Sequence, residues 1–473
     1  MRTLAHSATV LILVLVLCST SSAGHGQSVP TPTAAQQQPP APATAPAAVP
    51  AEAPHRVTAY TLPPDRYTKA RDLSRIRFQF AIISFIYGVI VLWLVLRWRL
   101  ASKYRTWAES ASSKRFVQAL VFSPLLILTI DILELPLGIY DNWVNRNYGI
   151  SVQGWGSWAW DWTKGEFLSV LLGIILIWIL YAVIHKTPRS WWFYFWLVSL
   201  PILLLVFFLA PLIIDPLFHQ FEPLAKKDPA LVASLEQMVQ RAGENIPPEK
   251  MFWMGASEKS TAVNAYVTGF GSSKRIVVWD TTIAKMTTPQ IVYVAGHEMG
   301  HYVLYHIPKL LAFGASGLLI FLYFGYRCIG WIVAFRGSQW EIRGVDDWAS
   351  LPVLLLLLSI FGFVGNPVSN AFNRHYEHQA DQYGLEVTHG LTPDSGQVAA
   401  RAFQILGDVD LADPEPNPVN VFLFYSHPPI ADLTTCRNPD AANRSGTIGC
   451  PGRIRFALTY DVWSNGGHGE FVR

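Results

Sequence analysis

The chain has 473 residues, of which 51% are apolar and only 15% are charged. This balance and the positive mean hydropathy argue against a soluble enzyme and indicate an integral membrane protein in contact with a lipid bilayer. The formal net charge of +3 gives no support for a nucleic-acid partner, and we expect none.

Two segments at the N-terminus differ from the rest of the chain. In residues 1–23, Arg2 and His6 precede an apolar stretch, and small residues follow it. This pattern predicts a cleavable signal peptide, with a retained membrane segment as the alternative. Residues 24–65 are rich in Pro and Ala and contain few large apolar side chains, so we expect a disordered linker there.

Apolar runs long enough to cross a membrane recur along the remaining chain. We expect six spans, at residues 78–96, 116–138, 166–184, 191–214, 309–334 and 349–364. The first four form an N-terminal membrane part, residues 66–218, and the last two a second membrane part, residues 309–365. More polar regions occupy residues 219–308 and 366–435, and a tail follows at 436–473. The predicted fold is therefore mainly α, a polytopic helical membrane protein with a small α+β domain.

The charge of the loops predicts the orientation of the chain in the membrane. The loop at residues 97–115 carries six Lys or Arg residues, whereas the loop at 139–165 carries two. Because positively charged loops favour the cytoplasmic side, both polar regions should lie outside the cytoplasm, which for a bacterial inner membrane means the periplasm. Five basic residues within 66–77 fall on the outer side in this topology and oppose it.

Cysteine usage agrees with an oxidising compartment. Cys436 and Cys450 flank a segment rich in Pro, Asn and Gly in the tail. A disulfide between them would persist only outside the cytoplasm. The alternative is two free thiols.

A β-hairpin is predicted in the first polar region. Residues Asn264 to Phe270 and Arg275 to Asp280 are rich in β-branched and aromatic side chains, and Gly271, Ser272 and Ser273 separate them. An exposed edge of such a hairpin can pair with an extended peptide. A purely structural hairpin is the alternative.

Residues 297 to 301 read His-Glu-Met-Gly-His. The segment predicts a helix with Thr288 as N-cap and Pro289 at the first helical position, ending before Pro308. His297 and His301 are four residues apart and share one helical face, so both imidazoles can bind one Zn²⁺ ion. Glu298 can then reach a bound water as general base. Two unrelated histidines on a helix are the alternative interpretation.

A third ligand would favour the metal site, and Glu377 is the candidate. Glu377 and Asp381 are four residues apart on a second predicted helix. Glu377 would complete a site of two His and one Glu with one position open, and Asp381 can accept a hydrogen bond from a ligating His. Zincins with a third His six residues after the second are excluded, since Ile307 occupies that position. We expect the other nearby histidines to be polar surface residues; these are His306, His375 and His378.

Two further features complete the predicted site. His427 precedes Pro428 and Pro429, which hold it in an extended loop where it can stabilise an oxyanion, the alternative being a simple turn histidine. Asp131 and Glu134 lie inside a predicted span and should face a wet interior, because carboxylates are costly in lipid. A structural hydrogen-bonded pair is the alternative.

The chain resembles the type I CAAX prenyl proteases, integral-membrane zinc endopeptidases of the gluzincin kind. The resemblance covers roughly residues 60 to 435. It rests on five blocks in the family's order: Asn264 to Phe270, Lys274 to Thr281, the pentapeptide at His297, Glu377 to Asp381, and Ser426-His427-Pro428-Pro429. It implies a helical membrane barrel around a large chamber, with one zinc ion bound by His297, His301 and Glu377, catalysis by Glu298, and a transition-state role for His427.

We therefore expect a zincin-like metallopeptidase domain in two parts, residues 219–308 and 366–435. The expected substrate is a peptide or protein, including lipid-modified or membrane-anchored ones, and it would pair with the strand that begins Asn264, Ala265, Tyr266. The signal-like start and Pro/Ala linker depart from the eukaryotic family members, which places the CAAX substrate in doubt. A quality-control protease for membrane proteins and a non-catalytic zinc-containing chamber protein remain alternatives.

Overall fold

A computed structural model describes residue 57, residues 59 to 269 and residues 271 to 435. The predicted signal segment at 1–23, most of the predicted linker, and the predicted Cys436–Cys450 pair lie outside these residues. The main elements in the described part are α1 (Pro64–Arg97), α2 (Leu100–Ala111), α3 (Arg115–Asn147), α4 (Trp155–Lys186), α5 (Trp191–Leu209), α6 (Asp215–Phe218), β1 (Phe221–Pro223), α7 (Pro229–Arg241), β2 (Met251–Met254), β3 (Ala265–Thr268), β4 (Arg275–Trp279), α8 (Asp280–Lys285), α9 (Thr288–Val303), α10 (His306–Arg336), α11 (Leu351–Thr388), α12 (Ser395–Asp410), α13 (Pro418–Phe424) and α14 (Ile430–Thr435).

The predicted membrane spans are confirmed within the described part of the chain. Six helical stretches there are long and apolar enough to cross a membrane: Pro64–Arg97, Arg115–Asn147, Trp155–Lys186, Trp191–Phe218, His306–Trp340 and Trp348–Thr388. Large apolar side chains on their outer surfaces are exposed, among them Phe167 at 69% and Trp331 at 70%. Such a surface is stable only when lipid covers it.

The first span extends well before the apolar run that predicted it. The basic start of α1 contacts the C-terminal polar region, where Arg66 pairs with Asp408 at 3.0 Å and Arg71 with Glu415 at 3.2 Å. Because the positive-inside tendency counts Lys and Arg and is little affected by acidic partners, the stretch at 66–77 still opposes the predicted orientation.

The predicted linker ends earlier than residue 65. Val57 N–H donates to Gln397 Oε1 at 2.9 Å, and Tyr60 is only 4% exposed and donates its hydroxyl to Ala412 O at 3.0 Å. Tyr60 packs against Gly407, where a Cβ atom would lie 2.5 Å from its ring. The segment before α1 therefore joins the polar region, because one aromatic side chain finds a buried site on α12.

Two loops meet at the end of the helical bundle that is far from the sheet. Arg99 pairs with Glu341, and the buried Arg105 pairs with Asp347, both at 2.6 Å. These contacts place the basic loop at 97–115 and the segment at 337–348 on the same side of the membrane. The alternation of spans then places the sheet and the catalytic residues on the opposite side.

Carboxylates inside the membrane helices face a cavity rather than lipid. Asp131 and Glu166 are each 4% exposed. Together with Glu134 they line a small pocket, whose other walls include Trp158 and Trp162. These carboxylates therefore face one another and the protein rather than lipid, and the expected wet interior stays a prediction.

The small sheet has the strand order β1-β2-β4-β3. Strands β2 and β4 are parallel, while β3 and β4 form the predicted antiparallel hairpin with Ala265 opposite Val278. Strand β3 is therefore an edge strand. Its alternate side chains, Ala265 and Val267, pack into a core shared with α7 and α9, which fixes the sheet against the helix that carries the His-Glu-Met-Gly-His motif.

Candidate metal centre

Helix α9 begins one residue earlier than the sequence indicated. Thr287, not Thr288, is the N-cap, because Thr287 and Gln290 form a capping box in which the Thr287 N–H donates to Gln290 Oε1 at 2.8 Å. Pro289 still lies in the first turn, where its missing N–H costs no hydrogen bond. The helix ends at Val303, and Pro308 lies in the first turn of α10.

Glycine residues bring α9 and α11 unusually close together. A Cβ on Gly300 would lie 3.2 Å from Ala380 Cα, and a Cβ on Gly384 would lie 3.1 Å from the His297 backbone nitrogen. Because ordinary carbon contacts are about 3.5 to 4.0 Å, neither position has room for a side chain. This close approach lets side chains from both helices reach one point.

The three predicted ligands converge at that point. His297 Nε2 is 3.2 Å from His301 Nε2 and 3.3 Å from Glu377 Oε2, and His301 Nε2 is 3.6 Å from Glu377 Oε2. Ligands around a tetrahedral ion at about 2.0 to 2.1 Å are roughly 3.3 to 3.4 Å apart, so the three atoms occupy the spacing of one face of such a tetrahedron.

The donor atoms are better placed to bind a metal ion than to hydrogen-bond to one another. Glu377 is only 7% exposed, yet its Oε2 atom accepts no hydrogen bond from the described residues. Such an orphaned carboxylate oxygen is costly unless a cation binds it. Among the described residues, His297, His301 and Glu377 are placed where they could hold a metal ion, and His427 is not in this group although its Nε2 is 3.2 Å from Glu377 Oε2. The described residues thus supply three candidate ligands and no fourth, which fits a site with one open position.

The carboxylate of Asp381 lies beside His297, the contact that the sequence predicted, while the role of Glu298 stays a prediction. Asp381 Oδ1 is 3.0 Å from His297 Nδ1, so it can accept that N–H and leave Nε2 for the metal. Glu298 follows His297 on the same helix. Burial raises the pKa of its carboxyl above the usual value, against the opposing effect of His297 and His301. A raised pKa suits a general base that must take up a proton and release it.

His306 corrects the expectation of a polar surface residue. Its side chain is completely buried, with 0% exposure. Its Nδ1 is 3.2 Å from His301 Nδ1, and its Nε2 is 2.9 Å from Gln379 Oε1. No sequence pattern predicts this burial, because it depends on a reversal of the chain at Tyr305, a non-glycine residue with a φ of 56°. Of the other two histidines, His375 is exposed and His378 is half-buried, and neither belongs to the metal-binding group.

The helix that carries Glu377 also positions the loop of His427. Asn370 Nδ2 donates to Leu423 O at 2.8 Å, and the Arg374 guanidinium donates to the carbonyl oxygens of Val421 and Tyr425. These bonds fix backbone carbonyls in the last turn of α13 and just after it. His427, two residues further on, is thereby held beside Glu377.

The hydrogen-bond pattern of β3 shows which of its backbone groups face the open edge. Trp279 N–H donates to Asn264 O, so Asn264 and Tyr266 direct their backbone groups toward β4. Alternation then directs the N–H and C=O of Ala265 and Val267 away from the sheet. The Asn264 N–H is also occupied, by Thr282 Oγ1 at 2.7 Å. Ala265 thus has its backbone groups on the edge of the sheet that no other strand pairs with, but the residue is completely buried, with 0% exposure. The role of Asn264, Ala265 and Tyr266 in substrate binding stays a prediction.

Two histidines on one helix and a glutamate on a second helix meet at one end of a helical membrane bundle. This arrangement is typical of the class of integral-membrane metallopeptidases. Two family models match the chain: the CAAX prenyl protease N-terminal model, described as five membrane helices, over residues 47–220, and the peptidase family M48 model over residues 225–432. The structure describes four apolar spans in the first of these regions.

Individual proteins give the same result. The metalloprotease YhfN of Bacillus subtilis is 36% identical over 357 residues, which cover 74% of this chain and 80% of that protein. CAAX prenyl protease 1 of Saccharomyces cerevisiae is 27% identical over 399 residues, covering 78% of this chain and 85% of the relative. The crystal structure of S. mikatae Ste24p has a TM-score of 0.68 at 24% identity and covers 80% of this chain and 89% of that one, which confirms the helical chamber fold.

The chain belongs to peptidase family M48. It is an integral-membrane metalloendopeptidase, as the sequence predicted.

Proposed function

We propose that this protein is a zinc endopeptidase that cleaves extended or lipid-anchored segments at the outer surface of a bacterial inner membrane. The observation that carries the proposal is the spacing of His297 Nε2, His301 Nε2 and Glu377 Oε2, between 3.2 and 3.6 Å. Two imidazoles and one carboxylate at tetrahedral spacing suit Zn²⁺, and the lack of a fourth ligand among the described residues is typical of catalytic rather than structural zinc. The non-catalytic alternative is therefore disfavoured.

Each residue of the site has a separate task in the proposed reaction. Bound zinc supplies Lewis acidity for the scissile carbonyl and lowers the pKa of the attacking water. Glu298 takes a proton from that water and delivers it to the amine that leaves. His427 donates an N–H to the oxygen that gains negative charge. Asp381 holds His297 with its Nε2 free of a proton.

The outer edge of β3 is the candidate platform for an extended substrate. The N–H and C=O of Ala265 and Val267 face away from β4. Because these residues are only 0% and 9% exposed, a peptide backbone could pair with them only if the part of the protein that covers them moved aside. Tyr302, on the motif helix α9, donates its hydroxyl to Gly269 O near the end of the same strand. The usable edge is therefore short and lies beside α9, so pairing would deliver one peptide bond to the metal centre.

The position of the site supports a substrate held at the membrane. Helix α9 is followed directly by the span that begins at His306, and Glu377 lies on the same continuous helix as the span before it. Relatives named CAAX prenyl proteases suggest a lipid-modified chain end. The predicted outward orientation favours membrane-anchored segments more generally, including those of damaged membrane proteins.

The test uses the full chain in proteoliposomes with a quenched fluorescent peptide attached to a lipid anchor. We expect the wild-type protein to cleave this peptide. Glu298→Gln should reduce the cleavage rate by roughly three orders of magnitude or more while zinc content stays full, and Glu377→Ala should lose both cleavage and zinc. The same peptide without the anchor should be a poorer substrate. Normal cleavage by Glu298→Gln would contradict the mechanism, and normal zinc content in Glu377→Ala would contradict the ligand set.

A further inference from the structure

A partly buried hydrogen-bond chain runs from His301 through His306 to Gln379. His306 is the first residue of α10, and the left-handed Tyr305 before it turns the ring back under His301. The two Nδ1 atoms are 3.2 Å apart, with the rings nearly perpendicular at 76°. The second nitrogen of His306 is 2.9 Å from Gln379 Oε1. His306 lies five residues after His301, outside the His-Glu-Met-Gly-His motif, so the motif itself predicts no role for it in the metal site.

The direction of the hydrogen bonds follows from the chemistry of the amide. A carbonyl oxygen only accepts, so Gln379 Oε1 requires the proton of His306 on Nε2. The Nδ1 of a neutral His306 ring is then a lone pair and accepts the N–H of His301 Nδ1. His301 Nε2 is left without a proton, and it is the atom that lies 3.2 Å from His297 Nε2. The reverse direction would place a proton on His301 Nε2 and prevent it from binding a metal.

The outer end of the chain agrees with this direction. The amide nitrogen of Gln379 is 3.2 Å from His375 Nε2, which can accept its N–H. The oxygen of the same amide is thereby turned toward His306. His375 and Gln379 are four residues apart on α11, the helix that also carries Glu377, so one helix supplies a ligand and orients the support of another.

We propose that His306, oriented by Gln379, is a positioning residue that holds His301 in the tautomer and rotation needed to bind the metal. The inference rests on the proposed ligand set. It gives the two histidine ligands different supports: the Asp381 carboxylate for His297 and a neutral imidazole for His301. A carboxylate on both would increase electron donation to the metal and weaken its Lewis acidity.

Packing and hydrogen bonding at His306 can be separated by substitution. The ring stacks on Tyr376 with centroids 4.7 Å apart, so His306→Phe keeps a planar ring in the buried site and removes both hydrogen bonds. His306→Gln keeps them, because its amide oxygen can accept from His301 and its N–H can donate to Gln379. Gln379→Met removes the acceptor that orients His306. His378→Phe, a histidine next to Glu377 that bonds only Gln382 among the described residues, is the matched control.

The experiment measures the zinc dissociation constant by chelator competition, the visible spectrum of the cobalt(II)-substituted protein, and the melting temperature of the metal-free protein, all with the full chain in detergent. We expect His306→Phe to bind zinc about 10- to 100-fold more weakly and to shift the cobalt bands. Gln379→Met should also weaken zinc binding and shift the cobalt bands in the same direction. His306→Gln should recover most of the affinity, and His378→Phe should match wild type. The melting temperature of metal-free His306→Phe should stay near wild type.

Wild-type zinc affinity and an unchanged cobalt spectrum in His306→Phe would overturn the inference. So would a His306→Gln variant as weak as His306→Phe, since that would mean that ring shape matters and the hydrogen bonds do not. If His306→Phe does not fold, Gln379→Met decides by the same two measurements. The His301→Phe variant separates this inference from the proposed ligand set. If His301→Phe keeps its zinc, the proposed function is contradicted. If His301→Phe loses zinc while His306→Phe and Gln379→Met bind it normally, only the positioning role is contradicted.

Discussion

The close contact between α9 and α11 makes Gly384→Ala a sharp test of how the metal centre is built. A Cβ at Gly384 would lie 3.1 Å from His297 N, 3.2 Å from His297 Cα and 3.2 Å from Tyr293 Cε2. Ordinary contacts of about 3.5 to 4.0 Å require the helices to separate by roughly 0.3 to 0.8 Å. Two of the three contacts are with backbone atoms, so a change of side-chain rotamer cannot relieve them.

That separation exceeds what a zinc site tolerates. Distances from the zinc ion to its ligands must be correct to about 0.2 Å. His297 lies on α9 and Glu377 on α11, the two helices that the new side chain would push apart. Overpacking of this kind costs about 1 to 3 kcal/mol. If metal-free protein relaxes and zinc binding restores the compressed contact, the zinc dissociation constant rises roughly 5- to 150-fold.

The assay is chelator competition on purified protein, with Gly362→Ala as the control. Gly362 lies on the same helix, and a Cβ there would contact nothing within 4 Å. Since alanine favours a helix over glycine by about 0.5 to 1 kcal/mol, the control should bind zinc normally and melt no earlier than wild type. Wild-type zinc affinity in Gly384→Ala would refute the argument that helix contact sets the ligand geometry.

Three further results are expected. Asp381→Leu should weaken zinc binding about 10- to 100-fold by releasing the N–H of His297, and unchanged affinity would contradict the role of that carboxylate. Val267→Pro should reduce cleavage far more than zinc content, because proline removes a backbone N–H from the open edge of β3; normal cleavage would mean that the strand does not bind substrate. A reporter active only in the periplasm should function when fused after Glu222 and fail near Lys103, and the opposite pattern would place the catalytic side in the cytoplasm.

The parts of the fold that follow from local periodicity could be predicted. Apolar runs predicted the six spans, and spacing of four residues brought His297 with His301, and Glu377 with Asp381, onto common helical faces. The helices extend past the apolar runs because their polar ends are buried against protein instead of lipid. Hydropathy alone does not contain that information.

The parts that depend on contacts between distant segments could not be predicted. The burial of His306 depends on a left-handed residue at Tyr305, a position that side chains of its size rarely adopt. The glycines at 300 and 384 have a meaning only once α9 and α11 are known to touch. Likewise, the acidic partners of Arg66 and Arg71 lie more than 300 residues away, so no local pattern predicted that this basic stretch contacts the C-terminal polar region.

The central claim, an open zinc site shared by two helices, is tested most directly by locating the metal. Crystals of zinc-loaded protein measured on both sides of the zinc absorption edge should show one strong anomalous peak per chain. The account predicts this peak about 2.0 to 2.2 Å from His297 Nε2, His301 Nε2 and a Glu377 carboxylate oxygen, with no protein atom at the fourth position. A peak elsewhere, or one bound by a fourth protein ligand in the resting enzyme, would contradict it.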